Sequence, residues 1–213
     1  MQEKYIYLAS SFITMINAII FDYGGVLSAE TSLRSFGALY APKFGKNVEE
    51  FSELIVENWA HARVNAISSR LFWNNLAGFI GIDSHIVRKD FMDFFGFRED
   101  VFALVKKLKK NGYRLGLLSN QIEDWLEEII ENRKFNQLFD VIVTSYTSKI
   151  AKPDISIFKE TIVKLQVKPA ECVYIDDLEK NIPPAKHLGM KTILFTDFET
   201  LKKELSLLSV KID

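Results

Sequence analysis

Ala18-Ile19-Ile20-Phe21-Asp22-Tyr23-Gly24-Gly25-Val26-Leu27 is the stretch from which the fold can be read. Four apolar residues in a row suit a strand covered on both faces, as in a parallel sheet. A carboxylate then stands at the strand's end. The two glycines beyond it permit a tight turn and let the backbone come close to an anion or a metal.

Outward from this point the same grammar repeats. Tyr113 to Leu118, Val141 to Thr144, Cys172 to Ile175 and Thr192 to Phe195 read as further buried strands. Helical patterns separate them. Val101, Leu104, Val105 and Leu108 share one face of a helix that Asn111-Gly112 stops. A second helix is expected over Ile122 to Glu131, and a third carries Phe158, Ile162 and Leu165 with Asp154 as its cap. A fourth runs from Leu178 to Leu188, starting late or kinked because of Pro183 and Pro184. Strand–helix alternation of this kind predicts an α/β fold with a Rossmann-like, doubly wound parallel sheet.

One region breaks the alternation. Ser28 to Arg98 is rich in Phe, Trp and Leu, reads as helical, and is clearest over Val48 to His61 and Ser69 to Phe79. It is too long for a simple crossover. The expected organisation is an α/β core from residues 15–27 and 99–213, with a helical cap of residues 28–98 inserted over the carboxyl ends of the strands.

The chain has 213 residues with 48% hydrophobic content, enough to bury a sizeable core. Lys and Arg number 27 against 28 Asp and Glu, so no charge excess calls for nucleic acid or an anionic membrane. The basic run Lys106 to Lys110 reads as the solvated face of a helix. The lone Cys172 excludes an intrachain disulfide and fits a reducing, cytoplasmic setting. Tyr5 to Phe21 is uncharged, but it is shorter than a membrane span of about 20 residues and leads straight into Asp22. Residues 1–14 are expected to be an N-terminal extension, with Met15 a candidate start.

Ligands of open α/β sheets bind beyond the carboxyl ends of the strands. The residues there are Asp22 after the first strand, Ser119-Asn120 after the second, Lys149 to Asp154 after the third, and Asp176-Asp177 with Asn181 after the fourth. Taken singly, an Asp-x-Gly-Gly turn or a Ser-Asn cap is commonplace. Adjacent carboxylates repel each other, and a cation relieves that repulsion. In order, the strand ends carry a carboxylate, a hydroxyl and amide, a lysine, and a carboxylate pair.

The strings IIFDYGGVL, LGLLSN, SYTSKIAKPDISIF and VYIDDLEKNIPPAKHLGM together resemble the four motifs of the haloacid dehalogenase superfamily, over about Ile16 to Phe195. The helical stretch occupies the place of that family's cap and matches it only loosely. The resemblance implies a Mg²⁺-dependent phosphohydrolase acting on a small phosphorylated substrate. It makes Asp22 the nucleophile and Ser119, Asn120 and Lys152 the binders of the phosphoryl group. It gives Mg²⁺ to Asp22, the Gly24 carbonyl, Asp177 and Asp176 (the last directly or through water), and Asn181 orients the acidic loop.

Most phosphatases of that superfamily have a second Asp where this chain has Gly24, and such an acid is worth roughly 10²–10⁴-fold in rate. Three readings follow. The first is a phosphatase of the Asp-x-Gly-Gly kind, with sugar phosphates as the substrates suggested by analogy. The second is a haloacid dehalogenase proper, against which Asp176-Asp177 counts. The third is a non-catalytic binding relative. In the cap, His61, Arg63, Asn65, Arg70 and Trp73 are candidate substrate readers, Arg63 for a second anion and Trp73 for stacking on a sugar. The competing reading packs Trp59, Phe72 and Trp73 into the cap's own core. Trp125 either lines the entrance or packs.

Overall fold

In β1 (Ala18–Phe21), Ile19 and Phe21 point to one face of the sheet and Ala18 and Ile20 to the other, and each pair joins a different hydrophobic cluster. The alternation recurs in β2 (Arg114–Ser119), with Leu115 and Leu117 on the first face and Leu118 on the second. In β4 (Cys172–Asp176) it sets Val173 and Ile175 against Cys172 and Tyr174. Continuous apolar runs are thus covered on both sides. With β3 (Val141–Thr144) and β5 (Lys191–Leu194) the strands form one parallel sheet in the order β3-β2-β1-β4-β5. This computed structural model describes residues 15–213, and the expected extension over residues 1–14 lies outside them.

Four helices lie between β1 and β2 before the crossover helix: α1 (Leu33–Tyr40), α2 (Val48–Ala62), α3 (Ser69–Ile80) and α4 (Ser84–Phe95). Ser32, Asn47, Ser68 and Asp83 cap their N-termini through side-chain acceptors. The crossover helix α5 (Glu99–Lys110) ends at Asn111-Gly112 as expected, with Gly112 at a φ of +88°. Next come α6 (Glu123–Asn132), α7 (Phe135–Leu138), α8 (Ser145–Ser148) and α9 (Ile155–Leu165), the last capped by Asp154. After a 3₁₀ turn over Glu179–Asn181, α10 (Ile182–His187) begins with Pro183 and Pro184 in its first turn, and α11 (Phe198–Leu207) closes the sequence of elements. No helix among the described residues is long and apolar enough to cross a membrane.

The inserted helices are not packed apart from the sheet. A run of aromatic contacts passes from Phe51 through Phe36 to Phe91, then from Phe91 to Trp125 and on to Tyr23, next to the end of β1. A polar seam runs beside it onto α6. Asn65 bonds Glu123, the Ser69 hydroxyl accepts the Asp124 N–H, and Trp73 Nε1 donates to Asp124 Oδ2 at 2.8 Å. Arg88 bridges Asp124 and Glu128 at 3.0 and 2.6 Å.

Phe91 is fully buried and touches Phe36, Phe72, Trp73, Phe95 and Trp125. Phe91→Ala is expected to lower the unfolding free energy by roughly 3–5 kcal/mol. Urea titration checks this, with the exposed Leu207→Ala as a control expected within about 0.5 kcal/mol of wild type.

Candidate active site

The sheet order changes direction around β1, whose neighbours are β2 on one side and β4 on the other. That topology leaves a crevice at the carboxyl ends of these strands. The Asp22 N–H extends the ladder by bonding the Ile175 carbonyl at 2.9 Å, which sets Asp22 beside the Asp176-Asp177 edge. One carboxylate oxygen from each of Asp22, Asp176 and Asp177 lies within 4.8 Å of the others.

Lys152 lies between two of these carboxylates. Its Nζ is 2.8 Å from Asp22 Oδ1 and 2.7 Å from Asp176 Oδ2, and all three side chains are almost wholly buried. The lysine's backbone is held as tightly. The Asn120 side chain donates to the Lys152 carbonyl and accepts its N–H, both at 2.9 Å. A loop residue is thereby gripped from the end of β2.

The charges do not balance: one ammonium serves three carboxylates. Burial opposes the charge on Lys152, but Asp176 and Asp22 outweigh it and hold the ammonium above its ordinary range. Burial pushes the Asp22 carboxyl well up, and Asp176 and Asp177 add to the rise against the pull of Lys152. Burial and the neighbouring Asp176 likewise push Asp177 up to about 6. Asp176 goes the other way: burial opposes its charge, yet Lys152 and several hydrogen bonds hold it below the usual range. Its oxygens accept from Lys152, the Tyr174 hydroxyl, the Leu178 N–H at 2.8 Å and the Asn181 amide at 3.0 Å. Hydrogen bonding to the charged form separates two carboxylates that share one lysine.

This arrangement fits a divalent cation. The lone pairs of Asp176 are committed to protein donors, whereas Asp177 Oδ1 is buried without a partner. Asp22 Oδ1 takes the lysine and the Tyr23 N–H, leaving Oδ2 without a protein donor among the described residues. Gly25, at a φ of +68°, packs so close to Asp177 that a Cβ there would overlap the carboxylate. Gly24 is unlike it, since its nearest neighbour for an added Cβ is Thr31 Oγ1 at 4.0 Å.

A cavity of about 390 Å³ opens on this cluster, and Asp22, Gly24, Asn120, Lys152, Asp177 and Arg63 all reach it. Asp176 lies behind it. Ser119 is fully buried with an unpartnered hydroxyl at the end of β2. Asn120 reaches the cavity, with its Oδ1 and one amide N–H engaged by the Lys152 backbone and the second amide N–H free of a protein acceptor among the described residues. Trp73 does not line the cavity, because its indole is buried in the seam against Asp124. Arg70 lies with Trp73 along a separate groove. The aromatics at the cavity are Trp59, Trp125 and Phe95, with Gln121 beside them. Tyr174 and Gln121 carried no sequence signal, being ordinary residues of a buried strand and a loop.

The haloacid dehalogenase-like hydrolase family matches residues 19–195. Bifunctional epoxide hydrolase 2 of Sus scrofa is 34% identical over 105 residues, which cover 46% of this chain and 18% of that protein. Pyrophosphatase PpaX of Bacillus mycoides is 30% identical over 95 residues, 45% of this chain and 44% of its own. The chain thus matches less than half the length of either relative. Among solved structures, a HAD family enzyme from Bacteroides thetaiotaomicron superposes with a TM-score of 0.72 at 22% identity, covering 88% of this chain and 98% of that one. The same enzyme in complex with magnesium and inorganic phosphate gives 0.69 at 24% identity, over 87% and 98%. The fold is the same in both comparisons.

Breaking a buried charge pair by removing one partner costs about 3–5 kcal/mol. Lys152→Met is therefore expected to lose stability of that order in urea at neutral pH, and adding Asp22→Asn to recover part of it. An unchanged midpoint in the single variant would mean that the lysine does not neutralise this cluster.

Proposed function

This chain belongs to the haloacid dehalogenase-like hydrolases, and we propose that it is a Mg²⁺-dependent phosphohydrolase of small phosphorylated metabolites that works through an aspartyl-phosphate on Asp22. The observation that carries this reading is the buried Lys152 bridge between Asp22 and Asp176, with the unspent Asp177 oxygen beside it. The structural neighbour complexed with magnesium and inorganic phosphate, and the pyrophosphatase relative, support it. In this reading residues 28–98 act as a cap that encloses the reaction and excludes water.

The Asp22 carboxylate attacks phosphorus, and the bond from phosphorus to the leaving oxygen breaks. Lys152 holds Oδ1, fixes the carboxylate's orientation and offsets charge on the phosphoryl oxygens. Ser119 and the remaining Asn120 amide N–H bind those oxygens. Water then attacks the aspartyl-phosphate, and inorganic phosphate and free Asp22 are regenerated. Asp22, the Gly24 carbonyl and Asp177 would hold Mg²⁺, which supplies charge neutralisation at the phosphoryl group when bound. Asp176 acts by fixing Lys152 and the acidic loop, with Asn181 and Tyr174 holding Asp176 in turn. With Gly24 in place of an acid, the leaving oxygen takes its proton from water, which favours good leaving groups.

Turnover of p-nitrophenyl phosphate is expected with Mg²⁺, to vanish with EDTA, and to fall at least about 10³-fold in Asp22→Asn. Chloride release from chloroacetate without metal would instead support a dehalogenase, and silence in both assays a binding role. Gly24→Asp, whose Cβ would meet nothing nearer than Thr31 Oγ1 at 4.0 Å, is expected to raise turnover of alkyl phosphates toward the roughly 10²–10⁴-fold that a positioned acid supplies, with much less gain for p-nitrophenyl phosphate. Equal effects on both substrates would show that proton delivery is not what the site lacks.

A further inference from the structure

Beyond the charged cluster, the cavity wall has a definite chemistry. Leu33, Val56, Trp59, Phe95 and Trp125 give it apolar and aromatic surface. Its uncharged polar side chains are mostly engaged already. The Ser28 hydroxyl accepts the Gly25 N–H and donates to the Glu30 carbonyl. Ser32 caps α1, Gln121 Oε1 accepts the Ile122 N–H, and Asn120 clamps Lys152. A neutral polyhydroxylated ligand buried here would leave hydroxyls without partners, each at a cost.

Arg63 is the exception on this wall. Its guanidinium stacks over the Trp59 ring at 4.7 Å, its Nε is buried without a hydrogen-bond partner, and no carboxylate pairs with it among the described residues. The other charges lining the cavity, Glu30, Arg34 and Lys180, are exposed, and Arg34 is tied to Glu49. A partly desolvated guanidinium stacked on an indole, with its fork free, is built to receive a planar anion in bidentate fashion.

Resting on the hydrolase reading, we infer that the substrate is a phosphate monoester of a compact apolar or flat alcohol bearing a carboxylate. Arg63 holds the carboxylate while Trp59 and Trp125 cover the body. This replaces the sugar phosphate suggested by analogy. It also assigns the stacking role to Trp59 rather than Trp73.

The test compares phenyl phosphate, 4-carboxyphenyl phosphate and glucose 6-phosphate with Mg²⁺ in wild type, Arg63→Met and Arg63→Lys. A charge-assisted bidentate contact predicts a kcat/KM for the carboxylated ester about tenfold or more above phenyl phosphate. The ratio is expected to fall to about 1 in Arg63→Met and to an intermediate value in Arg63→Lys, with glucose 6-phosphate the poorest of the three. A ratio that survives in Arg63→Met, or a preference for glucose 6-phosphate, overturns the inference while leaving the hydrolase reading intact. If wild type turns over none of the three and p-nitrophenyl phosphate is also untouched with Mg²⁺, the hydrolase reading fails instead. Quenching of tryptophan fluorescence by the same probes in Asp22→Asn then decides the ligand class. Tighter binding of 4-carboxyphenyl phosphate that the added Arg63→Met removes supports it, and equal binding of all three refutes it.

Discussion

The Lys152 ammonium, enclosed between Asp22 and Asp176, is the interaction on which the rest of the site depends. An unpaired charge at that depth would be prohibitively costly, so the lysine has to arrive where two carboxylates already converge. Three strands meet that demand. β1 delivers Asp22, β4 delivers Asp176, and the Asn120 amide at the end of β2 grips the lysine's own backbone. Parallel pairing brings these ends into line, and the Asp22 N–H bond to Ile175 carries the register one residue past the strand.

Much of this arrangement is legible in the sequence. The apolar runs located all five strands to within a residue or so, because a strand buried on both faces leaves little freedom in composition. The strand-end residues Asp22 and Asp177 are readable because a parallel sheet dictates where its carboxyl ends lie, the motif resemblance picks Lys152 out of the loop after β3, and all three line one cavity. Periodicity, by contrast, tells which residues of a helix share a face but not which neighbour that face meets. Trp59 and Trp73 therefore looked alike in the sequence. In the fold Trp59 faces the cavity beside Gln121, while Trp73 is sealed against Asp124 of α6. The same limit hid the pair of hydrogen bonds between Asn120 and Lys152, which links residues 32 positions apart. In the sequence α1 and α4 merge into a generally helical stretch because their aromatic residues mark burial more clearly than boundaries.

The helices inserted after β1 share the sheet's hydrophobic cluster through Phe91, Phe95 and Trp125. Trp125 has a double duty, packing edge-on against Tyr23 while also facing the cavity. The residue that shapes the ligand's surroundings is thus the one that joins two layers of the molecule. The polar seam on α6 adds direction to that contact, since its donors reach a single turn or two of one helix.

The adjacent glycines after Asp22 answer to different masters. At position 25 the backbone is left-handed and the Asp177 carboxylate occupies the space of any side chain, so steric exclusion alone keeps the residue small. At position 24 no such wall stands. A descendant of this chain could therefore acquire new chemistry by a single change at the first glycine, whereas change at the second would push the acidic loop after β4 away from Asp22 before any chemistry could be tried.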